Sequence, residues 1–129
     1  MKKILLIGTG GTIASKQMGG GLTPGMETQE ILEYVPEMAK ICEMDVLQLC
    51  NIDSTNMEPE VWTKLVLAIK ENYDKYEGFV ILHGTDTMAY TSAALSYMVQ
   101  NSRKPIVITG AQQPIDTDGT DAKVNLRDS

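Results

Sequence analysis

Four short segments of this chain gather hydroxyls, carboxylates and side-chain amides, three of them around glycine. They are residues 8–12 (GTGGT), 51–56 (NIDSTN), 83–87 (HGTDT) and 109–114 (TGAQQP). A threonine hydroxyl beside a tight glycine turn can serve as a nucleophile, provided that a base and a pre-arranged oxyanion site lie close by. Thr12 is the candidate in the first segment, with Gly11 letting the backbone approach a ligand closely. Thr85 and Asp86 in the third segment add a second hydroxyl and a carboxylate able to hold an ammonium group or order a proton relay. Asp53 and Ser54 in the second are a further acid and hydroxyl.

Each feature has a competing structural reading. Thr12 could bond only its local backbone. Asp86 or Thr87 could cap the following helix, and residues 53–60 (DSTNMEPE) could form a plain Asx turn. His83, the only histidine, ends an apolar strand and reads as a hydrogen-bonded structural residue rather than the base. A phosphate cradle at residues 8–15 (GTGGTIAS) fits poorly. The dinucleotide pattern G-x-G-x-x-G finds Ile13 at its third glycine, no acid ends a second strand about 20 residues on, and no Gly-Lys-Thr/Ser follows.

The elements that must position these residues alternate as β-α units, which predicts an α/β fold with a doubly wound, mostly parallel sheet. Strands are expected over residues 3–7, 45–52, 78–84 and 105–109. A glycine-rich loop after the first strand leads to a helix from Thr28, which caps it, through residue 43, with Pro36 ending or kinking it. The clearest helix is residues 59–74, with Pro59 near its start and Val61, Leu65 and Ile69 on one face. Another covers residues 88–101, closed by Asn101 and Ser102, and a last one begins near Thr120. In an open α/β sheet, ligands bind beyond the carboxyl ends of the strands, and all four polar segments leave strands at that edge.

Composition narrows the function classes. With 129 residues, 43% of them apolar and 22% charged, the chain has room for one folded domain and a real core. A net charge of −6 argues against a nucleic-acid partner, whose phosphates call for Lys and Arg. Cys42 and Cys50 lack zinc-site spacing and read as reduced packing residues, so no metal is expected. The basic start MKKILLIG is cut short by GTGG without a cleavage site, and no run approaches the ~20 apolar residues of a membrane span. A cytoplasmic location and no membrane partner are expected.

GTGGTIAS at 8–15, NIDSTNM at 51–57 and HGTDTMAYTSAALS at 83–96, in this order, strongly resemble the L-asparaginase family of bacterial amidohydrolases, and its type I, cytoplasmic-like members above all. The likeness covers essentially the whole chain. It implies hydrolysis of the side-chain amide of L-asparagine, with L-glutamine as a possible second substrate, through a threonine acyl-enzyme and without cofactor. By motif, Thr12 matches the nucleophile. Thr85 matches the second active threonine, and Asp86 the acid that binds the α-ammonium. Ser54, with Asp53 and Thr55, matches the loop around the α-carboxylate; Gly11 and Ala111 match positions near the substrate.

Two departures stand out. Leu22 falls where many relatives carry a tyrosine in a mobile loop. The family's relay lysine lies downstream of the TGAQQP loop, Lys123 being too early to match it. The chain thus reads as an N-terminal domain without the C-terminal one, inactive by itself, from a protein that forms homo-dimers or homo-tetramers. Alternatives are a non-catalytic amino-acid-binding fragment and an amidotransferase subunit acting with glutamyl-tRNA. Such subunits carry extra N-terminal sequence, which places the hydrolase reading first.

Overall fold

The computed structural model describes residues 1–18 and 21–129, apart from the side chains of residues 17, 18 and 22–24. The expectation for Leu22 as a side chain therefore lies outside the described residues. Strand β1 (Lys3–Gly10) is followed by a 3-10 turn, Thr12–Ala14, and then by a hairpin of β2 (Ser15–Met18) and β3 (Gly21–Pro24). Next come α1 (Thr28–Leu32), β4 (Glu43–Ile52), α2 (Pro59–Asn72), β5 (Gly78–Leu82), α3 (Met88–Met98), β6 (Ile106–Thr109) and α4 (Ala122–Asp128).

The four long-range strands form one parallel sheet in the order β4-β1-β5-β6. Side chains alternate across it, as a pleated strand buried on both faces requires. Leu5, Ile7, Phe79 and Ile81 pack on one side with Leu65 and Ile69 of α2 and Leu95 of α3. Leu6, Val80 and Leu82 pack on the other with Ile31 of α1 and Ala122 and Leu126 of α4. Helices thus cover both faces, which is the expected doubly wound arrangement. The chain leaves β1 toward β4 on one side and returns past it to β5 on the other. The carboxyl end of β1 is therefore the switch point where such sheets open a crevice.

Several local expectations change. The loop after β1 contains an antiparallel hairpin whose return is pinned by Gly25 and Met26 N–H donating to the Ala14 carbonyl. Thr28 is the first residue of α1, and Glu27 occupies the cap position, with its N–H 3.2 Å from Glu30 Oε2. The Thr28 hydroxyl is taken instead by Gln48 Oε1 of β4, at 2.8 Å. That helix ends at Leu32, and Pro36 opens a separate 3-10 turn, Pro36–Lys40. Helix α3 stops at Met98, ahead of Asn101, which has a left-handed φ of 58°. Cys42 and Cys50 are free thiols. Among the described residues, no helix is long and apolar enough to cross a membrane, and no group of three His, Cys, Asp or Glu could hold a metal ion.

Candidate active site

At the switch point, the ends of β1, β4 and β5 meet around a polar cavity of about 140 Å³, lined by Gly11, Thr12, Ser15, Asp53, Ser54, Gly84, Thr85 and Asp86. That is room for a small polar molecule or a few waters. Three chain segments far apart in sequence approach closely here because their closest residues are small. Gly11 has φ 87° and ψ −179°, a conformation open essentially only to glycine. A Cβ on it would lie 2.5 Å from Gly84 N, and a Cβ on Gly84 would lie 2.5 Å from Ser54 Oγ. The Gly11 N–H donates to the Ile52 carbonyl at 3.1 Å, tying the turn after β1 to the end of β4.

This turn presents Thr12. Its hydroxyl has no hydrogen-bond partner among the described residues, nor have the Thr85 hydroxyl and the Asp86 carboxylate, so the local-backbone reading of Thr12 and the capping reading of Asp86 both fail. Thr87 sits at the cap position of α3 but turns its hydroxyl to the Ser54 carbonyl at 2.8 Å, joining the exits of β4 and β5. Asp53 does form an Asx turn: Oδ1 accepts from Thr55 N at 3.0 Å and from Thr55 Oγ1 at 3.1 Å. It caps the 3-10 turn Ser54–Asn56, and Ser54 is buried against the cavity floor.

Six of the eight lining residues are ones that the sequence singles out. Thr55 and Ala111 do not line the cavity. Thr55 is exposed behind Asp53, and Ala111 is packed in the core. Ser15 is not among the residues the motifs point to, although it stands three residues after Thr12, one turn of 3-10 helix, which returns it to the same side. Its hydroxyl donates to the Gly11 carbonyl at 3.0 Å. Gly84 escapes a search for reactive side chains because its role is to leave space.

The loop after β6 is braced by Asp121, whose carboxylate accepts Gln112 N at 2.9 Å and Gln113 N at 3.1 Å, while Asn125 Nδ2 reaches the Gly110 carbonyl at 2.9 Å. The Gln112 N–H above all, then the Gln113 N–H, holds the Asp121 carboxyl below the usual aspartate range. A group with a depressed folded pKa adds stability above its unfolded value, about 3.9, and loses it as pH falls through the folded value. Asp121→Asn is therefore expected to cost about 1 kcal/mol at pH 7, after allowance for partial exposure. In urea titrations this gap should close below about pH 4; a gap independent of pH would remove the carboxylate from the account.

His83 is fully buried at the end of β5. Its Nδ1 lies 2.6 Å from the Gly84 carbonyl and its Nε2 2.8 Å from Thr91 Oγ1, which also accepts from Trp62 Nε1 at 2.9 Å. Burial pushes the imidazole pKa down, favouring the neutral ring. It is not among the cavity-lining residues, as expected of a structural histidine.

Taken together, the arrangement is that of a doubly wound α/β domain with a hydroxyl- and carboxylate-lined crevice at its switch point. Comparison with known proteins makes this specific: the family described as "Asparaginase, N-terminal" matches residues 3–129, and the chain belongs to it. It is 44% identical over 129 residues to an L-asparaginase of Thermococcus kodakarensis, covering 97% of this chain and 38% of that protein. It is 42% identical over 127 residues to a subunit of the glutamyl-tRNA(Gln) amidotransferase of Metallosphaera sedula, covering 96% of this chain and 29% of that one. The crystal structure of L-asparaginase I from Vibrio cholerae superposes with a TM-score of 0.89 at 38% identity, covering 98% of this chain and 39% of that one. The chain thus spans well under half the length of these relatives.

Proposed function

We propose that this chain is the nucleophile-bearing part of an L-asparaginase, acting on the side-chain amide of L-asparagine to give L-aspartate and ammonia. The observation that carries this reading is the uncommitted Thr12 hydroxyl in one cavity with Thr85, Asp86 and Ser54. A zwitterionic amino acid needs an anchor of each sign before its amide can be placed for attack. Asp86 supplies the negative one for the α-ammonium. The turn at Ser54, kept in shape by Asp53 and Thr55, offers the Ser54 hydroxyl and the Ser54 N–H to the α-carboxylate, the N–H groups of residues 55–57 being used within the turn.

Thr12 Oγ1 then bonds to the amide carbon, its proton passes to the leaving nitrogen, and the C–N bond breaks to release ammonia. Water next attacks the aspartyl ester, its oxygen bonding to the same carbon as the ester bond breaks, and one of its protons returns to Thr12 Oγ1. Among the described residues no basic side chain hydrogen-bonds to Thr12, so turnover by this chain alone is expected to be slow and to rise with an added small amine base. Calorimetry with L-aspartate and ammonia release from L-asparagine, with and without methylamine, test the reading. Saturable aspartate binding together with amine-stimulated ammonia release is expected; failure of both overturns it.

A second reading keeps the same chemistry but uses the ammonia elsewhere, as in an amidotransferase, and the Metallosphaera relative supports it. Glutamine preferred over asparagine in the same assay would favour it. The two substrates differ by one methylene, a difference of only about 1–3 kcal/mol.

A further inference from the structure

The hydrogen bonds around His83 fix the direction of every proton in them. The Gly84 carbonyl only accepts, so His83 Nδ1 must carry a hydrogen. In the neutral ring Nε2 is then bare and needs a donor, and Thr91 is its partner. Trp62 Nε1–H only donates, so it occupies a lone pair of Thr91 Oγ1 and leaves the Thr91 hydrogen for His83. The chain runs one way: Trp62 to Thr91, Thr91 to His83, and His83 to the Gly84 carbonyl.

Its end point is at the cavity. The Gly84–Thr85 peptide is trans and planar, so its N–H points opposite to its carbonyl. With that carbonyl turned inward to the buried His83, the Thr85 N–H faces the other way, and among the described residues it donates to no acceptor. Gly84 and Thr85 both line the cavity.

We infer that Trp62, Thr91 and His83 are positioning residues: their one-way hydrogen-bond chain holds the Gly84–Thr85 peptide so that the Thr85 N–H receives the charge developing on the amide oxygen. This rests on the amidohydrolase reading for the identity of that oxygen. It gives the buried histidine a task other than that of a base. Loss of one oxyanion donor costs about 10²–10³ in kcat, and a donor left in place but badly aimed costs less.

The single histidine makes the test direct. A long-range proton–nitrogen NMR spectrum of the chain is expected to show the neutral Nδ1–H form; an Nε2–H form overturns the inference without recourse to any variant. Thr91→Val removes the donor to Nε2 while Nδ1–H stays on the Gly84 carbonyl, so it should shift the Nε2 nitrogen signal, move the Thr85 amide signal and lower amine-stimulated kcat about tenfold with KM little changed. Thr91→Ser, which keeps the hydroxyl, should restore all three. A folded Thr91→Val chain with unchanged Thr85 amide signal and kcat also overturns it. Should the wild-type chain neither bind aspartate nor release ammonia, the amidohydrolase reading falls, while the tautomer and the Thr85 amide still decide the chain of positioning residues.

Discussion

Thr12→Ala is expected to remove amide hydrolysis down to the buffer background, a loss of at least about 10³-fold if methylamine raises the wild-type rate far enough to measure it. The side chain is partly exposed at the cavity and takes no part in the hydrogen bonds of the fold, so the variant should melt within about 2 °C of the parent. Aspartate binding should stay within a few-fold, because its charges are anchored on Asp86 and on the turn at Ser54. Mass spectrometry of acid-quenched samples distinguishes attack from binding. The parent chain should carry an aspartyl ester, and the variant none. An alanine variant that still forms the ester would move the nucleophile elsewhere in the cavity, to Thr85 or Ser15.

Gly11→Ala is the second large effect, and it acts on the fold. Its φ of 87° with ψ near 180° carries a penalty of about 1–3 kcal/mol for any side chain. In addition, the new methyl would sit 2.5 Å from Gly84 N and 2.6 Å from Gly84 Cα, so β1 and β5 must separate at their ends. A combined loss of about 3 kcal/mol or more is expected, about 10 °C in a thermal melt, with aspartate binding abolished. Gly119→Ala is the control. Its φ of 74° is also positive, but an added Cβ meets nothing within 4 Å, so it should cost only about 1–2 kcal/mol and leave binding intact. Equal effects of the two substitutions would mean that the contact with Gly84 is unimportant.

The parts of this site that can be read from sequence are those set by local pattern. Short apolar runs ending in GTGG, NIDS and HGTD locate three strand exits, and the topology of a doubly wound sheet does the rest. What escapes local pattern depends on tertiary partners. The β2–β3 hairpin has no alternation of apolar and polar residues to announce it. Thr28 resembles a cap, but Gln48 on another strand takes its hydroxyl. Ala111 belongs to a segment with the right composition, yet its side chain packs in the core, and the next two backbone N–H groups bind Asp121. The proton order around His83, at the end of a strand, follows from Thr91 and Trp62 on two separate helices, which no spacing rule brings together.

The contact of Gly11, Gly84 and Ser54 has a thermodynamic corollary. A crevice whose floor is shared by three strand ends does not exist in any partly paired chain, so a small molecule seated there has affinity for the native state alone. Such a molecule acts as a folding ligand. It stabilises the domain in proportion to the logarithm of its free concentration, and the metabolite pool around the protein becomes one of the variables that set how much of it is folded.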